Sequence, residues 1–245
     1  MTNLTHIPTC PACGSTSSQI MRKLVGARSK KSFDLFKCQD CGSLYNPSGY
    51  KEDDTALVYD LIWHIKSIDH NTSSAKEVLR KMMDVHQNGK EILDIGAGIG
   101  SSMRVARDFG LIASGVEPNP YAVLYAKRVY SLDIVCTYFD NNLFSKKFDF
   151  ITIISVLEHL TDPRTLLEKA KGCLKKNGVL FVSVPLYDPV VHQKFLMNPE
   201  LDDSIFSDSD VHILHFTDES FKRFARQSHA TDIQGARDGY LLKFD

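Results

Sequence analysis

Three glycines, Gly96, Gly98 and Gly100, follow directly on the apolar run Ile92–Ile95, and two carboxylates, Asp94 and Glu117, lie close by in sequence. A buried strand running into such a turn lets a ligand touch the backbone, because glycine has no Cβ and tolerates positive φ. Glu117 ends the next apolar run, Ile112–Val116. It stands about 20 residues past the glycines, where an acidic side chain can accept hydrogen bonds from both hydroxyls of a ribose. The spacing therefore predicts an adenosine-containing ligand. A dinucleotide turn would carry G-x-G-x-x-G, and this one is a residue short of it.

Four of the six cysteines form a second constellation, Cys10-Pro-Ala-Cys13-Gly and Cys38-Gln-Asp-Cys41-Gly. Two thiols two residues apart on each of two knuckles suit a tetrahedral Zn²⁺. Two disulfides, an iron–sulfur centre or redox chemistry compete with this reading, but nothing indicates secretion and paired knuckles are a metal pattern. Four protein ligands leave no open position, which makes the expected zinc structural. Cys136 and Cys173 fall alone in a predicted strand and helix, as buried small hydrophobes. Between the knuckles Arg22, Lys23, Arg28, Lys30, Lys31 and Lys37 face a single acid, Asp34. Such a stretch is either a solvated hairpin face or a grip for a phosphate-bearing partner or RNA.

Three histidines complete the chemistry. His159 follows Glu158 after an apolar strand, and His212 and His215 close a long irregular stretch. Imidazole titrates near neutral pH, so each is a candidate general base for a substrate hydroxyl or carbon acid, with packing or capping as the alternative.

The elements that must hold these groups follow from periodicity and punctuation. Gln19–Val25 and Ser32–Phe36 alternate and predict a hairpin, giving a zinc ribbon, and Gly42–Gly49 reads as a turn-rich linker. Apolar spacing predicts a helix over Asp53–Ile65, in a zone enriched in Tyr45, Tyr50, Tyr59 and Trp63. A second helix is expected from Ser74, whose Ser-x-x-Glu77 spacing is a capping box, to Asn88-Gly89. Helices are also predicted over Ser101–Phe109, from Asn119-Pro120 to Tyr130, and from Asp162-Pro163 to Asn177-Gly178. Strands are expected at Ile134–Phe139, at the continuously apolar Phe150–Ile154, just after Gly178, and as a closing pair over Thr231–Gln234 and Tyr240–Phe244. The stretch Leu186–Asp210, carrying Asp202, Asp203, Asp208 and Asp210, is long enough to be a lid and acidic enough to repel a polyanion. Thr217 should cap the helix that follows it.

Composition sets outer bounds. With 245 residues, 43% of them apolar, the chain can bury a sizeable core and fits one full domain plus an appendage. No apolar run approaches the ~18 to 20 residues that span a bilayer, so the expectation is a cytoplasmic protein without membrane insertion. A formal net charge of −1 argues against a chain committed as a whole to nucleic acid.

Asp94 with its glycine turn and Glu117-Pro-Asn together resemble class I S-adenosylmethionine-dependent methyltransferases. Two further stretches, Phe148–Pro163 and Leu174–Pro185, are similar to that family's fourth and fifth strands, and the resemblance covers roughly residues 75–235. It implies an α/β, mostly parallel, seven-stranded Rossmann-like sheet with an abbreviated last hairpin, behind a small N-terminal zinc ribbon. The division expected is 1–49 ribbon and linker, 50–88 helical cap, and 89–245 methyltransferase domain with a lid near 186–215. The segment before the glycine turn often covers cofactor or substrate in this family, which makes Tyr59 and Trp63 pocket candidates beside the plain reading of packing. The cofactor contour implied is Asp94, Gly96, Ala97, Gly98, Gly100, Glu117, Pro118, Asn119, Thr137, Tyr138 and Ser155. Thr137 or Tyr138 stands where the family often has an aspartate beside the adenine, with Asp140 as a fallback. Relatives of the quinone O-methyltransferase type carry a glutamate three residues before the Glu-His pair and hold a metal there; here that position is Ser155, so no catalytic metal is expected. A ribbon fused ahead of such a domain resembles enzymes that methylate sugars, often nucleotide-linked. The reaction implied is transfer of a methyl group from S-adenosylmethionine, leaving S-adenosylhomocysteine, to a small polar acceptor. An RNA base methyltransferase and a non-catalytic zinc-ribbon interaction protein are the alternatives.

Overall fold

A computed structural model describes residues 8–26, 28–48, 68–198 and 210–245, with the side chains of 68–71 and 196–197 not included. The helix expected over 53–65, the residues Tyr50, Tyr59 and Trp63, and the acids Asp202, Asp203 and Asp208 lie outside them. The chain divides into two compact units, one drawn from 1–58, 157–164 and 185–228, the other from 59–156, 165–184 and 229–245.

The second unit is built on a six-stranded sheet. Its strands are β4 (Glu91–Ile95), β5 (Ile112–Val116), β6 (Phe148–Ile154), β7 (Leu174–Ser183), β9 (Ala230–Ala236) and β10 (Gly239–Phe244), in the order β5-β4-β6-β7-β10-β9. The first four run parallel, and β10 and β9 add an antiparallel pair. Central position explains composition: Phe148 to Ile153 are all buried, so β6 is apolar on both faces except at Asp149 and Thr152, whose polar atoms are hydrogen-bonded. Helix α1 (Ile68–Val85) lays Ala75, Val78, Leu79 and Met82 into the core beside Ile92, Phe150 and Phe181, an i, i+3, i+4, i+7 stripe. Helices α2 (Ser101–Asp108) and α3 (Pro120–Tyr130) follow the turns after β4 and β5. Asn119 caps α3 by accepting from the amides of Tyr121 and Ala122.

Several expectations are corrected here. Ser74 is not a cap, because α1 begins at Ile68; its hydroxyl lies toward Asp238 at 3.4 Å, and Glu77 pairs with Lys81 and Arg237 instead. The strand expected over 134–139 is reduced to one bridge, Val116 to Val135. Leu132 and Ile134 point inward, but the chain turns back when the Thr137 amide donates to the Val135 carbonyl. The described sheet thus has six strands rather than seven, shortened at the β5 edge and not at the closing hairpin. Cys136, outside any strand, is exposed rather than buried. Helix α4 (Pro163–Gly172) stops well before Asn177-Gly178, which sit inside β7. The pairing of β7 with β6 jumps from Leu174 to Val179, so Asn177, at φ 64°, serves a bulge and not a helix end.

Asp149 anchors this unit at the start of β4. Its Oδ2 accepts from the amides of Lys90 and Glu91 and from the Lys175 ammonium, each at 2.9 Å. Burial pushes the carboxyl up, but the two amides, Lys175 and His86 outweigh it and bring it down to about 2. A depressed carboxyl stabilises the fold above its unfolded value, near 4, and that contribution is lost as pH falls toward 2. Asp149→Asn should lower the unfolding free energy by about 1–3 kcal/mol at neutral pH and flatten the acid limb of stability between about pH 4 and pH 2. Urea melts of both proteins across that range test it; parallel acid limbs would assign the anchor elsewhere.

The first unit holds a four-stranded sheet in the order β1 (Ser18–Val25), β2 (Ser32–Cys38), β3 (Leu44–Tyr45), β8 (Leu214–His215), with neighbours antiparallel. The hairpin forms as expected, and within the stretch read as a turn-rich linker two residues add a strand to it. Residues 44–45 form a strand, where Tyr45 is fully buried, stacks on Phe36 at 5.6 Å and donates its hydroxyl to the Pro8 carbonyl. Tyr187 packs with Leu35 and Leu44, with Phe195 alongside, and Arg22 donates to the Phe195 carbonyl at 2.6 Å. The segment after β7, including the short helix α5 (Gln193–Met197), is therefore pinned to the hairpin. Helix α6 (Asp218–Gln227) starts at a capping box in which Thr217 and Ser220 satisfy each other's amides. Its Phe221 and Phe224 pack on Phe216.

Candidate functional site

The glycine turn is welded to the end of β5. Gly96 and Ala97 both donate to the Val116 carbonyl, at 2.9 and 3.0 Å, and Gly96, Gly98 and Gly100 adopt φ of 76°, 52° and 80°. A Cβ at Gly96 would lie 2.4 Å from Val156, and one at Gly100 would lie 2.6 Å from Leu132, so these positions need glycine for space as well as conformation.

Glu117 is 8% exposed, and each of its oxygens accepts one amide at 2.8 Å, Oε2 from Gly98 and Oε1 from Asn119. A carboxylate offers about four acceptor sites, so two remain for hydroxyl donors. Burial pushes this carboxyl up against the two amides that pull it down. Asp94 is buried, and Thr152 donates to its Oδ1 at 2.7 Å across the β4–β6 register that pairs the two residues. Burial first, then the neighbouring Glu117 charge, push the Asp94 carboxyl up to about 6 despite Thr152. Thr152 escaped the sequence reading; its signal was one hydroxyl inside an otherwise apolar strand.

Other members of the expected contour lie around this pair. Pro118 and Asn119 continue from Glu117, and the Cys136 thiol lies 4.0 Å from the Pro118 carbonyl. Thr137 is half-buried and Tyr138 is 44% exposed. Ser155 leaves β6 at φ 52° with its amide bonded to Ser183, a left-handed residue at the carboxyl edge of a parallel sheet. Asp140 is engaged elsewhere, accepting from Asn142 and pairing with Lys169 at 3.0 Å.

In the first unit the four knuckle cysteines converge. Cys10 and Cys41 sulfurs are 3.8 Å apart, Cys13 and Cys38 are 3.6 Å apart, and all four lie within 4.8 Å of one another as free thiols. Tetrahedral Zn–S bonds of about 2.3 Å set sulfurs about 3.8 Å apart, so the group fits zinc, while no pair is at bonding distance for a disulfide. The knuckles match: Gly14 and Gly42, at φ 77° and 78°, return their amides to the carbonyls of Cys10 and Cys38. Each is also held from outside. Arg164 donates to the Ala12 carbonyl at 2.9 Å while lying over the Phe224 ring, and Arg223 donates to the Asp40 carbonyl.

The same unit gathers the histidines. His159 sits on the 3₁₀ turn Leu157–His159, and its ring lies 4.8 Å from that of His212. Its Nδ1 donates to the Val211 carbonyl at 2.8 Å, which leaves Nε2 as the lone-pair nitrogen, 3.9 Å from Glu158. Burial, reinforced by His212, brings the His159 imidazole down to about 3. His215 lies on β8 at 1% exposure and is likewise brought down to about 3 by burial. Arg28, read in sequence only as one of the hairpin cations, acts electrostatically on His159, a relation that 131 positions of separation give no spacing to show. The Arg28 and Ser29 amides donate to Asp210 Oδ2, fixing the hairpin tip. Within the basic hairpin Arg22 bonds Phe195 and Lys23 pairs with Asp34, so these cations are engaged internally.

Comparisons with known proteins bear on this geometry. A family model described as a methyltransferase domain matches residues 65–232. The ubiquinone biosynthesis O-methyltransferase of Glaesserella parasuis is 31% identical over 106 residues, covering 39% of this chain and 45% of the relative. That of Histophilus somni is 33% identical over 105 residues, covering 38% and 44%. The chain thus spans somewhat less than half the length of these curated relatives. Among solved structures, the plantazolicin methyltransferase in complex with SAH aligns with a TM-score of 0.55 at 16% identity, covering 72% of this chain and 68% of that one. Streptomyces venezuelae DesVI aligns at 0.53 and 15% identity, covering 79% and 98%. Both establish the Rossmann-like sheet. Among the described residues no helix is long and apolar enough to cross a membrane.

Proposed function

The chain belongs to the methyltransferase-domain family, and from that premise we propose that it transfers a methyl group from S-adenosylmethionine to a small polar acceptor. The observation that carries the proposal is Glu117, buried, held by two backbone amides and keeping two acceptor sites beside a glycine turn. In this reading Asp94, Gly96, Ala97, Gly98 and Gly100 hold the methionine end, and Glu117 with Pro118 and Asn119 holds the ribose. Thr137, Tyr138 and Ser155 complete the contour. When bound, the sulfonium supplies an already activated methyl group, so the protein's main work is positioning.

Asp94 has a further task. A buried carboxylate beside Glu117 is relieved by a cationic ligand, so cofactor binding favours its ionised form. With a carboxyl near 6 in the free protein, affinity for S-adenosylmethionine should hold above about pH 6 and fall by up to about tenfold per pH unit below it. Calorimetric titration from pH 5 to pH 8 tests this, and a flat profile would remove Asp94 from the contour.

For the acceptor, a sugar or nucleotide-linked sugar is the class to test first, on the analogy of a ribbon fused ahead of the transferase domain. The names of the curated relatives favour a hydroxyl oxygen as the receiving atom. The zinc of the ribbon is structural in this reading. RNA is the lesser alternative, because Arg22 and Lys23 are engaged internally, and RNA binding that weakens steeply with salt would restore it. A non-catalytic interaction protein has no use for the intact turn and Glu117. Calorimetry with S-adenosylhomocysteine on zinc-replete protein decides first: binding sustains the enzyme, and no binding by folded protein moves the interaction reading ahead.

A further inference from the structure

We propose that Thr152 is a positioning residue for methyl transfer: its hydroxyl keeps Asp94 ionised and turned so that the second carboxylate oxygen meets the ammonium group of the cofactor's methionine end. The proposal rests on the methyl-transfer reading and assigns to that site a residue that acts through Asp94 rather than on a ligand. Thr152 lies on β6 at 1% exposure, and burying a hydroxyl there costs free energy unless a partner accepts its proton. Two acceptors lie across the β4–β6 register, Asp94 Oδ1 at 2.7 Å and the Leu93 carbonyl at 3.4 Å. A hydroxyl carries one proton, so the shorter bond takes it. Among the described residues Thr152 is the one donor that reaches the Asp94 carboxylate, whereas Glu117 is held by two backbone amides.

The contrast between the two carboxylates gives the hydroxyl its task. Glu117 has a fixed amide donor on each oxygen. Asp94 has one donor, and that donor rotates. With the carboxyl ionised, the hydroxyl donates to Oδ1 and leaves Oδ2 as an acceptor for an ammonium group. With the carboxyl protonated, the hydroxyl accepts from it and turns its own proton to the Leu93 carbonyl, so both states are satisfied. Burial and the Glu117 charge oppose ionisation, and Thr152 is what opposes them in the free protein. β-Branching stiffens χ1, so threonine aims the hydroxyl more firmly than serine would. A hydrogen bond to a charged group shifts ionisation by about one pH unit or more. Thr152→Val, matched in shape and lacking the hydroxyl, should move the Asp94 carboxyl up by that amount.

Calorimetric titration of the full chain with S-adenosylhomocysteine from about pH 5 to about pH 8 tests this, with Thr152→Val and Thr152→Ser beside wild type. The valine variant should bind within about threefold of wild type near pH 8 and about tenfold more weakly near pH 5, because a raised carboxyl costs affinity only where the ligand must drive its ionisation. Thr152→Ser keeps the hydroxyl and should return the profile to that of wild type. A threonine that only packs predicts a valine profile displaced equally at every pH, or serine no better than valine, and either outcome overturns the proposal. Urea melts of the free proteins read the same coupling without cofactor. The raised Asp94 carboxyl favours the folded chain below its unfolded value, near 4, and that advantage is lost as pH rises through about 6. Valine carries the loss further, so its deficit against wild type should be larger near pH 8 than near pH 5; equal deficits overturn the pairing. If wild type binds no S-adenosylhomocysteine, the methyl-transfer reading falls, and the melts alone then decide whether Thr152 controls Asp94.

Discussion

Glu117→Ala is expected to weaken S-adenosylhomocysteine binding by about 100-fold or more, the largest loss foreseen for any single change in the second unit. Two hydroxyl bonds to a buried carboxylate contribute about 1.5–3 kcal/mol each, or about 3–6 kcal/mol together. The same side chain holds the Gly98 and Asn119 amides, so its removal also loosens the turn it serves. Glu117→Gln separates the two effects. It keeps the volume, but its amide nitrogen must face either the Gly98 or the Asn119 amide, donor against donor, and it retains one carbonyl oxygen for the ribose. Intermediate binding with a near-native melt is therefore expected. Calorimetry and thermal unfolding of the pair measure it; alanine binding within about fivefold of wild type would place the ribose elsewhere.

Cys38→Ser should abolish stoichiometric zinc and unfold the first unit locally. Zinc bound by four thiolates stabilises small ribbons by about 10–16 kcal/mol, comparable to a whole domain's usual margin of about 5–15 kcal/mol. Cys38 is also the last residue of β2, paired with Ser18, so loss of the metal frees the strand end directly. Because β3 joins β2 to β8, the disturbance should reach Leu214 and His215. Hydrogen exchange reads this out. Amides of β1, β2, β3 and β8 should exchange faster in the variant, while β4 and β6 keep their protection and S-adenosylhomocysteine still binds. Full protection of β1–β3 in a zinc-free variant would show that packing around Tyr45, Leu35 and Leu44 suffices without the metal.

The parts most legible in sequence are those where one physical constraint dominates. Buried parallel strands must be apolar on most positions of both faces, which marked β4 to within one residue and β6 to within two. The Asn119-Pro120 and Thr217 caps were legible because a side-chain acceptor and a fixed φ act locally. Failures came where a local signal served a different end. Asn177-Gly178 resembles a helix stop, yet the pair builds a bulge because β7 must skip residues to stay in register with β6. Residues 44–45 are too few for any periodicity, and only Phe36 on one side and Leu214 on the other make them a strand. The histidines were visible singly, but their grouping with Glu158 is tertiary, set by a turn and a strap more than fifty positions apart. Asp94 was read from its motif, whereas its raised carboxyl depends on burial in the folded sheet and on the Glu117 charge, against the pull of the Thr152 hydroxyl on the neighbouring strand.

The pairing of Leu44 with His215 and of Tyr45 with Leu214 also bears on how the molecule assembles during synthesis. Both cysteine knuckles leave the ribosome well before residue 215, and the loop between them is short enough that a metal, on the zinc reading, would be captured while the later segment is still being made. The sheet they belong to cannot be completed until translation has passed residue 215, at about 5–20 residues per second a delay of many seconds. Through that interval the outer edge of β3 is an open template, and it is short, as strand edges that must wait unpaired are best kept. A fragment ending near residue 50 should accordingly load metal and wait without associating, and adding the later segment in trans should then complete its sheet.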